Sequence, residues 1–413
     1  MNIPLKRISY ISLLVLLLLT GSILFLRNKN YSFKNGKNEN ALVNDTVPLT
    51  KYWESPIPHQ KVPKGLSSLS AKSCGACHQE IYNEWKESTH AIAYQDLQFQ
   101  AELNKDHILT CLNCHTPLQN QLKYIITGFV NGDYKTPVKK KNPNFDKALQ
   151  AESITCASCH VRDGKVIGAI GYPNTPHLTQ KNPEFLKESL CISCHNVVDQ
   201  VSPVLVCSFE TGDEWKNNWA SKEGKNCISC HMETKHRPLM PGFPERKGHF
   251  HAFPGSGIPK LFNRKTHRLE SLNFIESTIP KTVKVNESLN YFITLQNENA
   301  GHSVPTGDPE RFIFTTFTLL DNKGQVVVQE KHRIGEKWKW YPNAEKLEDN
   351  NLKPKEKRTY SFTNEIKNKG KYVLKVEVTK HRMNEENAKF NQILGKYPLS
   401  ITVFEKKYTI EVL

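Results

Sequence analysis

Ten of the eleven cysteines form pairs separated by two residues, and a histidine directly follows every pair. Two cysteines three positions apart on one helical turn can reach the two vinyl groups of one porphyrin, and the adjoining imidazole can bind its iron from the same side. The pattern therefore predicts five covalent c-type haems. The attachment residues are Cys74, Cys77, Cys111, Cys114, Cys156, Cys159, Cys191, Cys194, Cys227 and Cys230, and the proximal histidines are His78, His115, His160, His195 and His231.

Structural zinc is the main alternative for paired cysteines. A structural zinc ion uses four ligands, commonly two cysteine pairs. Five pairs would leave one pair over, and zinc does not require a histidine after every pair. A disulfide framework explains the histidines no better, so covalent haem is favoured. The remaining cysteine, Cys207, lies in an apolar run, which favours a buried thiol over a reactive one.

Second axial ligands can come from the eleven histidines outside the motifs. Haem iron in electron-transfer proteins usually carries two axial ligands, and imidazole is the commonest metal ligand among side chains. Four of these histidines are candidates. His90 follows an amphipathic segment, and His177 lies in a Pro-rich loop. His251 lies beside Phe250, and His302 lies in a loop between two strand-like runs. For each of them, an ordinary surface or hydrogen-bonded histidine remains the alternative.

Within residues 73–93, the motif Cys74-Gly75-Ala76-Cys77-His78 is followed by Tyr82, Trp85, Ser88 and His90-Ala91. With this pattern the segment resembles the opening haem module of the cytochrome c-554 family. The resemblance extends over about residues 70–255, and it implies electron transfer between haems, with His78 as a proximal and His90 as a distal ligand. Hydroxylamine oxidoreductase and multihaem nitrite reductases are then relatives. This chain differs by its five motifs instead of four, by lacking a Cys-x-x-Cys-Lys site and by an added C-terminal domain. The matching residues are Cys74-Gly75-Ala76-Cys77-His78 with Tyr82, Trp85, Ser88 and His90-Ala91, then Cys111–Leu118, Thr155–His160, Glu214-Trp215 and Cys227–Met232.

The motifs begin about 35 to 45 residues apart, an interval too short for separate hydrophobic cores. Haem faces must then supply much of the buried apolar surface. We therefore expect a mainly α-helical and irregular pentahaem domain over residues 71–268.

Beyond this domain the cysteines stop, and strand-like runs rich in β-branched and aromatic residues follow. They predict an all-β immunoglobulin-like sandwich over residues 269–413. Docking, haem shielding and stability remain open as its roles. The predicted strands are 289–295, 311–320, 325–334, 360–363, 372–379, 399–404 and 408–413.

The N-terminus predicts export. Lys6 and Arg7 precede the apolar run Ile8–Leu26, which is long enough to cross a bilayer and has no polar face. We expect residues 1–30 to form an uncleaved signal anchor, although cleavage near Ser22 is the alternative. Residues 31–70 are rich in polar residues and predict a flexible tether. This arrangement predicts a location on the periplasmic side of the cytoplasmic membrane.

The formal charge of +15 does not indicate nucleic-acid binding. The basic residues are scattered, and no nucleic-acid motif occurs. Five haems would add about ten propionate charges, which offset most of the excess. The leading hypothesis is an electron carrier with redox partner proteins in the periplasm or inner membrane. The rival is an oxidoreductase acting on a small nitrogen or sulfur compound at a five-coordinate haem. A haem-based sensor is a third hypothesis, and it is disfavoured because no attached signalling domain is recognised in the sequence.

Overall fold

Short helices carry the five motifs in the computed structural model, which describes residues 45–171 and 175–413. His115, His160, His195 and His231 are each the last residue of their helix, so one helical turn presents the cysteine pair and the imidazole together. His78 instead caps the start of the following helix. The helices are α1 Ala71–Gly75, α2 Gln79–Glu87, α3 Leu97–Asp106, α4 Leu112–His115, α5 Lys147–Ala151, α6 Cys156–His160, α7 Glu188–His195, α8 Thr211–Lys216, α9 Trp219–Lys222, α10 Cys227–His231 and α11 Glu385–Phe390, with 3-10 turns at Tyr52–Glu54, His90–Ile92, Leu109–Cys111 and Gln119–Gln121.

Four small sheets lie between these helices. The sequence predicts a helical and irregular region and does not predict these sheets. They form between segments only two to seven residues long, and the pairing satisfies backbone groups in loops that have little apolar side chain to bury. The sheets are β1–β2–β3 (Thr46–Pro48, Tyr124–Val130, Pro137–Lys141), β4–β5–β6 (Val161–Arg162, Lys165–Gly168, Thr179–Lys181), the hairpin β7–β8 (Val197–Ser202, Leu205–Phe209) and the hairpin β9–β10 (Thr234–Pro238, Glu245–His249).

The predicted tether over residues 31–70 is wrong for its described part from Thr46 onwards. β1 pairs with β2, and Trp53 and Leu69 are buried. Gln60 is also buried, and its backbone N–H donates to Asn120 Oδ1 at 2.9 Å. The polar composition predicts a free chain, but these residues pair and pack with the haem-binding part, which is the motif-containing region up to about residue 268. Residues 31–44 lie outside the described residues.

The C-terminal part of the chain, from Leu272 onwards, consists mainly of two sheets that share one hydrophobic core. Leu295, Phe317, Phe362 and Val376 are all fully buried in that core. The two-sheet arrangement agrees with the predicted sandwich, and its immunoglobulin type remains a prediction. One sheet orders β11–β13–β18 (Leu272–Glu276, Ser288–Asn297, Lys357–Glu365), the other β12–β20–β19–β14–β15 (Thr282–Val283, Ser400–Val412, Gly370–His381, Phe312–Leu320, Val326–Ile334), and the hairpin β16–β17 (Glu336–Lys339, Glu345–Asp349) stands apart.

Two predicted strands near the C-terminus are one continuous strand, β20. The predicted strands 399–404 and 408–413 leave out Glu405-Lys406-Lys407, yet these residues pair with β19. The register of this pair shifts once, between Val378 and Thr379, which is typical of a β-bulge in a long strand pair.

The segment between β19 and β20 packs against the haem-binding part. Met383 and Tyr397 are buried there with Leu97 and Ala101, which lie one helical turn apart on α3. Thr46–Leu413 accordingly forms one compact unit, and the domain boundary at 268/269 remains a prediction.

Within residues 45–171 and 175–413, no helix is long and apolar enough to cross a membrane. The predicted anchor over residues 1–30 lies outside these ranges.

Candidate haem sites

Four of the five motif histidines each face one of the four predicted distal histidines. Two imidazoles bonded to one metal at about 2 Å place their ring centroids roughly 6.4 Å apart. The observed spacings match this value, so each pair leaves room for one iron between its rings. The centroid distances are 6.4 Å for His78–His177, 6.3 Å for His195–His90, 6.3 Å for His160–His251 and 6.3 Å for His231–His302.

Backbone carbonyls hold most of these rings through Nδ1. Such a bond fixes the tautomer in which Nδ1 carries the proton and leaves Nε2 free for a metal. The histidines therefore have the orientation and the donor atom that haem iron requires. The bonds are His78 to Leu239 O at 3.1 Å, His115 to Ala93 O at 2.9 Å, His160 to Ile167 O at 2.9 Å, His231 to Pro254 O at 2.7 Å, His251 to His249 O at 2.8 Å and His302 to Ser303 O at 2.8 Å.

Burial keeps several of these imidazoles neutral. Desolvation lowers the pKa of His90 to about 3 and the pKa values of His115, His195 and His251 to about 4. A metal binds imidazole only in its neutral form, so these rings need not lose a proton at neutral pH before binding.

His115 is the exception among the motif histidines. Its ring stacks on Phe99 with centroids 3.6 Å apart and planes 7° from parallel. Among the described residues, which include all sixteen histidines, no ring contact brings a second histidine to His115. The Phe99 ring and the Ala93 carbonyl thus fix this imidazole, and no histidine of the described residues faces it. Sequence reasoning missed Phe99, which reads as an ordinary core residue of α3.

His90 is positioned by the segment that follows the first motif, although it faces His195 of the fourth. Trp85 is buried, and its Nε1–H donates to Ile154 O at 2.8 Å. Ile154 N–H in turn donates to His90 O at 3.2 Å. These bonds tie the segment to the chain entering the third motif, so His90 links distant parts of the sequence.

A closed set of hydrogen bonds surrounds His251. Arg237 forms a bidentate ion pair with Glu84, and Glu84 Oε2 also accepts from the His251 backbone N–H at 2.9 Å. Arg237 Nη2 donates to His249 O at 3.0 Å, the same oxygen that accepts from His251 Nδ1. The network fixes the backbone on both sides of the ring.

The C-terminal part donates His302. Its loop is held against α8 and α9 because Glu214 accepts from Ser303 N–H at 3.2 Å and from Thr306 Oγ1 at 2.7 Å. A Cβ on Gly301 would lie 2.6 Å from Ala220 Cβ, so only glycine permits this approach.

Cysteines from different motifs lie beside one another. The thiols of Cys74 and Cys156 interact, as do those of Cys114 and Cys194, and those of Cys191 and Cys227. The haem attachment points of motifs one and three, two and four, and four and five are therefore neighbours.

His267 and the unpaired cysteine Cys207 have structural partners. His267 Nε2 lies 2.8 Å from Glu87 Oε2, away from the motif imidazoles. Cys207 packs with Trp53, Ile108 and Val197, and burial raises its pKa to about 12, so its thiol stays protonated.

Comparison with known proteins gives the same family as the motifs. Residues 73–161 match the family described as cytochrome c554 and c-prime. No curated protein sequence matches the chain.

Among solved structures, the chain resembles a penta-heme cytochrome c552 from Thermochromatium tepidum. The TM-score is 0.60 at 18% identity, over 84% of this chain and all of that one, which shows a shared fold. The CARDB domain of the PF1109 protein from Pyrococcus furiosus, in complex with di-metal ions, matches 35% of this chain and 90% of its own at 17% identity. Its TM-score of 0.19 supports no inference.

Proposed function

We propose that this multihaem cytochrome c, whose residues 73–161 belong to the cytochrome c554 and c-prime family, carries five covalent haems and transfers electrons among them on the periplasmic side of the cytoplasmic membrane. The observation that carries the proposal is the set of four imidazole pairs at 6.3 to 6.4 Å. Bound haem supplies one-electron oxidation and reduction.

The protein's part is to hold the ligands rigidly. The ten motif cysteines would attach the haems, and the motif histidines would be proximal ligands. His177, His251, His90 and His302 would be the second ligands of motifs one, three, four and five, respectively. Two rigid imidazoles per iron favour low-spin iron in both oxidation states, which minimises rearrangement during electron transfer.

Contacts between cysteines of different motifs give a connected path for electron transfer. Motif one adjoins three, and four adjoins both two and five; Cys159 of motif three also lies near Cys194 of motif four. This path branches at motif four and ends at motifs one, two and five. Cys77 of motif one and Cys230 of motif five are exposed, whereas the other motif cysteines are half-buried. Redox partner proteins of the periplasm or inner membrane would therefore exchange electrons at motifs one and five.

An enzymatic role at motif two is the second candidate. His115 lacks a facing histidine among the described residues, so its haem would keep one axial position for a small ligand. Catalysis at haem needs such an open position. The substrate would be a small nitrogen or sulfur compound, as the rival hypothesis holds.

Low-temperature EPR of the oxidised protein, combined with carbon monoxide binding to the reduced protein, tests both roles. We expect four low-spin haems and one high-spin haem, and one equivalent of carbon monoxide per chain. Five low-spin haems and no carbon monoxide binding would exclude the enzymatic role. More than one high-spin haem would contradict the proposed ligand pairs.

The location rests on the N-terminal sequence. An exported chain with an uncleaved helix over residues 1–30 would remain attached to the cytoplasmic membrane, with its haems on the periplasmic side. A cleaved periplasmic form is the alternative.

A further inference from the structure

Three cations lie together where the C-terminal part meets the haem-binding part. They are Lys260, Arg311 and Arg382. Arg382 is 4% exposed, and the Lys260 side chain is 15% exposed. Burial lowers the pKa of all three, and repulsion from Arg382 and Arg311 lowers that of Lys260 further. Buried cations that repel one another need compensation by anions.

The carboxylates of this region compensate only part of the charge. Asp96, which is 6% exposed, pairs with Lys260 and accepts from the Tyr397 hydroxyl at 2.6 Å. Gln98 Nε2 donates to Glu102, Asp308 and Glu310 at 3.0 to 3.2 Å. Burial and the crowding of these acids raise the pKa values of Glu102 and Glu310 to about 8, so both are largely neutral at pH 7.

Neither arginine has an ion pair within 4.0 Å among the described residues, although the more distant Asp308 carboxylate attracts both. Arg311 Nη1 donates to Thr306 O at 3.1 Å. Arg382 Nη2 donates to Ile258 O at 2.8 Å and Pro259 O at 3.3 Å, and its guanidinium lies over the Tyr397 ring. The buried Arg382 Nε has no hydrogen-bond partner within the described parts of the chain. A buried orphan donor of this kind indicates a missing acceptor.

A proposed haem site in this region could supply that acceptor. The charge of Arg311 acts on the His195 imidazole, and Asp96 follows His90 by one short turn. His90 and His195 are the pair that would hold the fourth haem. Guanidinium groups match carboxylates in geometry and charge.

We infer that Arg311 and Arg382 bind a propionate carboxylate of the haem held between His90 and His195. The inference rests on the proposed function, because it requires a haem at that pair. It gives the C-terminal part a defined role: this part supplies the axial ligand His302 to one haem site and the propionate clamp to another.

Resonance Raman spectroscopy and spectroelectrochemistry of the intact haem-loaded protein test this inference. Arg311→Gln and Arg382→Gln should each shift the propionate bending band of one low-spin haem. Each should also lower that haem's reduction potential, because a nearby positive charge stabilises the reduced form. Arg333→Gln is the matched control: Arg333 bonds to Gly335 O and Glu336 O in the sandwich, and its removal should change neither signal.

The outcomes separate the inference from the function on which it rests. Five haems with an unchanged propionate band and potential in Arg311→Gln would overturn the clamp but leave electron transfer intact. A shift confined to the high-spin haem of motif two would also overturn it, since the propionate would belong to another haem. If Arg382→Gln does not fold, Arg311→Gln decides alone, and Arg382→Lys should keep the potential while still shifting the band.

Discussion

At the scale of single residues, backbone carbonyl oxygens orient most of the candidate ligand histidines. They accept hydrogen bonds from the Nδ1–H groups of these rings. Some come from segments distant in sequence from the ligand they orient, such as Leu239 for His78 and Pro254 for His231, whereas Ser303 directly follows His302. Outer hydrogen bonds of this kind fix ring orientation and ligand basicity. Because a carbonyl belongs to every residue, composition carries no signal for it. The candidate histidines could be predicted from the sequence, but which histidines face each other could not.

Replacing His90 by glycine tests a ligand pair directly. We expect one haem of five, that of His195, to change from low-spin to high-spin, and its potential to rise, because a basic imidazole that stabilises the ferric state is lost. EPR should show the loss of one low-spin signal at constant haem content. Added imidazole should fill the cavity and restore that signal.

His267→Ala is the control for this experiment, since His267 pairs with Glu87 and faces no motif histidine. Its spectrum should equal that of the unmodified protein. Unchanged spin states in a folded His90→Gly protein would remove His90 from the ligands.

At the scale of elements, the helices that carry the motifs and most strands of the sandwich could be anticipated, because both follow local patterns. The predicted strand over residues 325–334 and the observed β15, Val326–Ile334, nearly coincide. The small sheets could not be anticipated. β1 pairs with β2 across roughly eighty residues of chain, and nothing in its three residues specifies that partner.

The loop that carries His302 depends on a close contact at Gly301. Gly301→Ala should push the loop away from α9, because its Cβ would lie 2.6 Å from Ala220 Cβ. Overpacking of this kind costs about 1–3 kcal/mol. We expect the motif-five haem to become partly high-spin by EPR. Gly248→Ala, whose Cβ would meet Lys235 O only at 3.9 Å, should not change the spectrum; equal spectra for both variants would refute the positional role of the loop.

The turn Tyr52–Glu54 should make stability depend on pH. Burial alone would raise the pKa of Glu54, but backbone N–H groups of Lys51 and Thr50 and the Tyr134 hydroxyl outweigh burial and hold the pKa below its usual value. A depressed folded-state pKa contributes stability above the unfolded-state pKa, near 4.3, and this contribution is lost as pH falls through the folded-state value.

Glu54→Gln should therefore lower the free energy of unfolding by about 1–3 kcal/mol at pH 7 and by less at pH 3. Denaturant titrations of the haem-loaded protein at both pH values measure this difference. An equal loss at the two pH values would show that the carboxylate charge is not responsible.

At the scale of the whole molecule, the C-terminal sandwich packs against the haem-binding part. Sequence analysis left docking, shielding and stability open, because no catalytic residues mark the sandwich. His302 faces His231, and Met383 and Tyr397 pack on α3, so the sandwich contributes a side chain to one candidate haem site. Such contacts between distant segments could not be read from local sequence.

The proposed anchor predicts that the haem protein fractionates with membranes. Salt should not release it, and detergent should, because an apolar helix and not surface charge would hold it. Deletion of residues 2–26 behind a cleavable export signal is the control and should yield a soluble haem protein. A mature N-terminus just after Ser22 in the full-length protein would show cleavage instead.

Peptide mapping by mass spectrometry tests the central claim most directly. The chain is expressed with the cell's own haem-attachment machinery, digested and searched for peptides that carry haem. The account predicts that each of the five peptides containing a Cys-x-x-Cys-His motif gains the mass of one haem, including the peptide of His115, which has no facing histidine. A motif recovered without haem in otherwise fully loaded protein, with its two cysteines free, would contradict the account.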